Sequence, residues 1–187
     1  MFKDKGSKFI GFAYPINQES DVKEILIKLK KMHYAARHWC FAWRLGVEEE
    51  RYRVNDDGEP NNSAGKPIYG QIISKDLVNI LVVVVRYFGG VKLGVGGLIN
   101  AYKTTARMTL DDAEIVQKTI KSTFHIVFEY KDMEKIHRII KEYNLVILEQ
   151  KMELNCEFIL EIRQKFETII KQKLTDLRCV EFVDEKS

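Results

Sequence analysis

The hydrophobic pattern is densest at Ile80-Leu81-Val82-Val83-Val84-Val85, a continuous apolar run rich in β-branched residues. Such a run suits a strand buried on both faces. Five glycines follow within nine positions: Gly89, Gly90, Gly94, Gly96 and Gly97. Glycine at that density disfavours continuing a strand or a helix, because each residue gives up backbone entropy and packs no side chain. Leu98, Ala101, Tyr102 and Thr105 then recur at helical spacing. The segment reads strand, glycine loop, helix, with the helix running to about Val116 and irregular where Asp111, Asp112 and Glu114 oppose its dipole.

Upstream, Ser7 to Tyr14 reads as a strand closed by Pro15, with a short lead before it. Ser20 and Asp21 suit a helix start, and Val22, Ile25, Leu26, Leu29 and Met32 form its apolar stripe. The lysines Lys23, Lys28, Lys30 and Lys31 fall mostly off that stripe, as a solvated face does. His38 to Leu45 alternates, placing Trp39, Phe41, Trp43 and Leu45 on one face and His38, Cys40, Ala42 and Arg44 on the other. A turn at Glu48-Glu49-Glu50, a short strand from Arg51 to Asn55 and the turn-rich loop DDGEPNNSAGKP follow. Ala64-Gly65-Lys66-Pro67 opens a helix whose buried face is Ile68, Ile72 and Ile73.

Polar residues from Gln117 to Ser122 mark a domain boundary, giving domains 1–118 and 122–187. Past it the pattern predicts a strand (Thr123 to Tyr130), a helix (Asp132 to Tyr143) and two strands (Leu145 to Lys151, Glu153 to Arg163). A helix (Lys165 to Leu174) and a strand (Leu177 to Asp184) complete the chain. Met133, Ile136, Ile139, Ile140 and Tyr143 share one side of the first of these helices. This βαββαβ order is the ferredoxin-like plan, so the whole is expected to be α+β. The plan hosts many functions and indicates none.

Composition changes the picture little. The net charge is +3, with 18 Lys/Arg against 14 Asp/Glu in residues 1–120 and 12 against 13 in residues 121–187. A polyanion-binding surface therefore belongs more naturally to the first part. Cys40, Cys156 and Cys179 are odd in number and form no CxxC pair, which disfavours a disulfide framework or a cysteine zinc site. No apolar signal region opens the chain, and the longest apolar run is too short to span a bilayer. A soluble cytoplasmic protein with no membrane attachment is expected.

The candidate chemistry gathers at the glycine loop. Unpaired N–H groups at a helix N-terminus, with glycines that permit close approach, can receive a phosphate or nucleic-acid backbone. Arg86, Lys92 and Lys103 place positive charge at or near it. The phosphate-loop pattern is not met, since Val95 follows Gly94, and the dinucleotide pattern fails at Ile99. His38 and Cys40 on one strand face invite a nucleophile-and-base reading, against the commoner role of cysteine as a buried hydrophobe. Asp56, Asp57 and Glu59 supply hard-cation oxygens, but the calcium-loop spacing is absent and such clusters are usually turns. No metal, cofactor or catalytic residue is assigned.

RYFGGVKLGVGGLINAY, from Arg86 to Tyr102, closely resembles the signature of the Impact/YigZ family. Three further segments match in order: Ser7-Lys8-Phe9-Ile10, His38-Trp39-Cys40-Phe41-Ala42-Trp43, and Asp56-Asp57-Gly58-Glu59-Pro60 with Ala64-Gly65-Lys66-Pro67. Asn61-Asn62 depart from the small residue and glycine usual after Pro60, although asparagine tolerates a left-handed backbone. The resemblance implies a first domain like domain 2 of ribosomal protein S5. It implies a ferredoxin-like second domain similar to the C-terminal domain of elongation factor G.

The same resemblance implies a non-enzymatic protein linked to regulation of translation, with RNA, the ribosome or a translation-related protein as partner. Arg86, Gly89, Gly90, Lys92, Gly94, Gly96, Gly97 and Lys103 would meet phosphates or a protein, with His38, Asp57 and Glu59 completing the cleft. Two alternatives stand beside it. One is a hydrolase or phosphate-ligand enzyme using the glycine loop with His38, Cys40, Asp57 and Glu59. The other is a protein–protein interaction module, separable from RNA binding by its weaker salt dependence.

Overall fold

The computed structural model describes residues 1–47 and 49–183; Glu48, in the expected turn, and Asp184, the last residue of the expected final strand, lie outside the described residues. The chain divides into two compact units, Met1–Ile115 and Val116–Ser187. Each is mixed α+β and built on an antiparallel sheet. No helix among the described residues is long and apolar enough to cross a membrane.

The first unit runs β1 (Phe2–Asp4), β2 (Ser7–Pro15), α1 (Glu19–Met32), β3 (His38–Leu45), β4 (Arg51–Asn55), α2 (Gly65–Ser74), β5 (Ile80–Tyr87) and α3 (Gly94–Asp111). Its sheet has the order β1-β2-β5-β3-β4. The valine run is therefore the central strand, and both of its faces are covered. Val82 and Val84 pack with Ile68 and Ile72 of α2 and with Leu98, Ala101, Tyr102 and Ala106 of α3. Leu81, Val83 and Val85 pack with Val22 and Leu29 of α1 and with Phe41, Trp43 and Leu45 of β3. The aromatic face of β3 is core, as its alternation predicts.

Several details differ from the sequence reading. β1 is an additional strand, joined to β2 by a turn in which Lys5 and Gly6 both have positive φ (42° and 79°). α1 begins at Glu19, where Asp21 accepts the Asn17 and Gln18 backbone N–H groups as the third residue of a capping box. Met32 and Ile73 are exposed, each in the last turn of its helix. α3 stops at Asp111 instead of Val116, leaving Ile115 and Val116 exposed; carboxylates crowding a helix C-terminus oppose the helix dipole. Gly94, Gly96 and Gly97 belong to its first turn. An initiating turn lies outside the helix interior, so glycine costs less there than the sequence reading assumed.

The second unit runs β6 (Lys121–Glu129), α4 (Met133–Tyr143), β7 (Val146–Lys151), β8 (Asn155–Arg163), α5 (Glu167–Asp176) and β9 (Val180–Phe182), with the sheet order β7-β8-β6-β9. The βαββαβ succession is as predicted. Ile136, Ile139 and Ile140 of α4 and Ile170 and Leu174 of α5 cover one sheet face, meeting Phe124, Ile126, Phe128, Phe158 and Leu160. Lys121 and Ser122, expected in the boundary, already belong to β6. Tyr130 falls in a short turn after β6 and is exposed.

Candidate functional site

The loop after β4 folds back on itself through its own carboxylates. Asp56 accepts backbone N–H bonds from Asn62 (2.9 Å), Ala64 (2.9 Å) and Gly65 (2.8 Å), which fixes the loop and caps the start of α2. Asp57, in the left-handed region at φ 41°, accepts the Trp39 N–H at 2.7 Å. Asn62 at φ 63° provides the left-handed turn that asparagine permits. The Asp57 carbonyl also accepts the His38 Nδ1–H at 2.9 Å.

Glu59 is carried inward by this loop and is only 8% exposed. Its Oε1 accepts from Arg86 Nη1 at 2.6 Å and from the Tyr102 hydroxyl at 2.7 Å, with His38 Nε2 at 3.9 Å. Ser7 Oγ accepts from Arg86 Nη2 (3.4 Å) and from the Gly89 N–H (3.2 Å). The Cys40 thiol lies 3.0 Å from the Asp56 carbonyl and 3.3 Å from the Tyr102 hydroxyl. The four sequence segments that carry the resemblance thus converge on one buried polar cluster. Arg86 and Tyr102, first and last residues of the longest segment, meet at a single carboxylate oxygen.

That cluster is occupied with itself. Arg86 is 4% exposed and its charge is matched by Glu59. Burial pushes the Cys40 thiol well above the ordinary thiol range, so it stays protonated at neutral pH. Burial likewise raises the Tyr102 hydroxyl. His38 and Cys40 share no hydrogen bond: each is turned to a different backbone carbonyl of the loop. The carboxylates of Asp56, Asp57 and Glu59 point to three separate sets of partners, with none shared. Among the described residues no three His, Cys, Asp or Glu side chains are grouped as a metal site requires.

The other half of the expected site is open. Gly89 lies so close to Gly6 and Ser7 that no Cβ fits there, which locks the β1–β2 turn against the glycine loop. Gly90 (φ 88°) and Gly94 (φ 76°) adopt the left-handed conformation, and a Cβ at Gly90, Gly94 or Gly96 would meet nothing within 4 Å. These positions face solvent, with Gly97 tucked over Leu93. α3 begins here with no side-chain cap and no acidic residue in its first turn. Its first N–H groups and positive dipole end are therefore uncompensated by side chains. Lys92 and Lys103 are exposed and, among the described residues, form no ion pair.

The structure therefore separates the predicted site residues into two sets. His38, Asp57, Glu59, Arg86 and Gly89 build the supporting cluster; Gly90, Lys92, Gly94, Gly96 and Gly97 lie on the open face, and Lys103 is exposed further along α3. Ser7 and Tyr102 were not singled out by residue type, since a serine and a helix tyrosine carry no motif outside the resemblance. Lys5 was missed with β1, because a three-residue strand shows no period and Lys-Gly is not one of the strong hairpin dipeptides such as Asn-Gly or Asp-Gly. Lys8 pairs with Tyr87 across the sheet and Arg37 donates its N–H to the Arg86 carbonyl, so both exposed cations flank the end of β5.

Comparison with known proteins places these features. The family model for the Impact N-terminal domain matches residues 5–110. The IMPACT family member YvyE of Bacillus subtilis is 32% identical over 171 residues, covering 91% of this chain and 79% of that protein. The IMPACT family member YigZ of Escherichia coli is 32% identical over 138 residues, covering 73% and 68%. A crystal structure of a hypothetical protein superimposes with a TM-score of 0.69 at 25% identity, covering all 100% of this chain and 92% of that one.

Proposed function

The chain belongs to the Impact family, and from that premise we propose a non-enzymatic cytosolic protein that binds RNA or the ribosome and is linked to regulation of translation. In this reading the first unit is like domain 2 of ribosomal protein S5. The second has the ferredoxin-like plan and is similar to the C-terminal domain of elongation factor G. Phosphates meet the first unit at the open face of the glycine loop.

One observation carries the proposal: exposed Lys92 immediately precedes the uncapped N-terminus of the 18-residue α3, exposed Lys103 stands about two and a half turns along that helix, and among the described residues neither lysine forms an ion pair. Phosphate is the chemistry that lysines, outward N–H groups and a positive dipole end recognise together. The enzymatic alternative asks Cys40 or Glu59 to perform chemistry, and both are engaged inside the supporting cluster.

The test is binding of the purified protein to ribosomes and to short RNAs at two salt concentrations, with Lys92→Glu/Lys103→Glu alongside. Binding should weaken steeply with salt, by a slope of roughly 0.7 to 0.9 log units per phosphate contact. The charge-reversed protein should lose most of it. No binding of RNA or ribosomes at low salt overturns the proposal and moves the partner to a protein or a small ligand.

A further inference from the structure

The face proposed to meet phosphate is not only cationic. Phe88, Val91, Val95 and Ile99 are between 38% and 53% exposed, all within the loop and the first turns of α3. They are interleaved with Lys92 and followed by Lys103, and residues 77–110 contain no Asp or Glu at all. A surface that binds only the backbone of a duplex needs cations and hydrogen-bond donors. Four apolar side chains gathered among them offer an apolar ligand surface as well.

Phe88 is held in a particular way. The Arg86 guanidinium lies 5.6 Å from its ring centroid and 5.4 Å from that of the buried Phe9. Arg86 is fixed in turn by Glu59 and Ser7. The buried cluster therefore supports an exposed aromatic ring from beneath, so little side-chain freedom remains to be lost on binding. Gly89 and Gly90 beside it carry no side chain that would bar a ligand from the ring.

Resting on the phosphate reading above, we infer that the ligand of this face is single-stranded nucleic acid, with an unpaired base stacked on Phe88. Lys92, Lys103 and the N–H groups at the start of α3 hold its backbone. Every base presents a π face whatever its sequence, and a cationic track with an aromatic platform is how unpaired strands are bound. A duplex hides those faces within its stack and presents mainly phosphate and sugar.

The experiment is fluorescence anisotropy with a labelled 12-nucleotide RNA, alone and annealed to its complement, for the wild type, Phe88→Ala, Phe88→Trp and Lys92→Glu/Lys103→Glu. The single strand should bind more tightly than the duplex. Phe88→Ala should weaken single-strand binding by about fivefold or more, with little effect on the duplex, and Phe88→Trp should restore it. If Phe88→Ala binds the single strand within about twofold of wild type while the lysine variant fails, the stacking inference falls and the phosphate reading stands. Equal binding of single strand and duplex by the wild type has the same meaning. Absence of binding to either RNA overturns the stacking inference, and overturns the phosphate reading as well if ribosomes also fail to bind at low salt.

Discussion

Glu59→Ala tests the supporting cluster most directly. The substitution leaves the Arg86 guanidinium, 4% exposed, without its carboxylate partner at 2.6 Å, and the Tyr102 hydroxyl without its acceptor at 2.7 Å. Removing one member of a buried ion pair costs about 3–5 kcal/mol, because the remaining charge is buried uncompensated. The lost tyrosine hydrogen bond adds within that range, not on top of it, since both donors share one oxygen. Against a domain stability of about 5–15 kcal/mol, that is a large fraction. Trp39 and Trp43, the two tryptophans of the chain, both lie on β3, so tryptophan fluorescence during urea unfolding reports the first unit alone. The midpoint should fall sharply at an unchanged slope. Glu59→Gln, which keeps an acceptor oxygen, should lose less, and Glu59→Leu/Arg86→Met should recover most of the loss. A Glu59→Ala protein within about 1 kcal/mol of wild type would refute the cluster as described, because no buried arginine tolerates that loss so cheaply.

The Cys40 thiol should be silent to a thiol reagent at neutral pH until the first unit unfolds. Burial raises its pKa in the folded state, so above about pH 8.5 the unfolded chain loses a proton that the folded chain keeps. Stability by tryptophan fluorescence should therefore be whole below that pH and decline above it, with a shallower decline in Cys40→Ala. Asp56→Ala, which releases three backbone N–H groups at the head of α2, should lower first-unit stability by about 1–3 kcal/mol in the same urea titration. Gly89→Ala should separate the β1–β2 turn from the glycine loop, because its Cβ has no room against Gly6 and Ser7. Faster hydrogen exchange across residues 2–9, with the second unit unchanged, is the expected sign.

What the sequence disclosed follows from what local pattern can encode. The β5 run, the alternation of β3 and the helix stripes are fixed by period, so strands, helices and the βαββαβ order were legible to within a few residues. β1 was not, because three residues are too few to show a period and Lys5-Gly6 is not a strong hairpin dipeptide. The helical start at Gly94 was hidden for a different reason: glycine density predicts a loop, and only the tertiary packing of Leu98, Ala101 and Tyr102 against the sheet draws the first turn into α3. For the site, residue type located the right neighbourhood but not its division. Nothing local distinguishes Arg86, turned inward to Glu59, from Lys92, turned outward; the sheet register that sets His38 opposite Arg86 decides it.

The second unit bears on where a polyanion can bind. Its helices cover one sheet face, and the residues alternating with that core make up the other: Lys121, Thr123, His125, Val127 and Glu129 of β6, and Asn155, Glu157, Ile159, Glu161 and Arg163 of β8. Register adds Glu149 and Lys151 from β7 and Glu181 from β9 to the same face. Five glutamates stand there, and the lysines among them are already paired, Lys121 with Glu161 at 2.6 Å and Lys151 with Glu157 at 3.3 Å. RNA-recognition motifs use this open face of the same succession of elements, by stacking bases on aromatic side chains. Among its described residues that face carries no Phe, Tyr or Trp, its His125 stands 3.6 Å from Glu157, and carboxylates are in excess, so it repels the phosphates that such stacking must bring with it. A partner that engages this face must bring positive or neutral chemistry, and the phosphate-binding role proposed above rests with the glycine loop of the first unit.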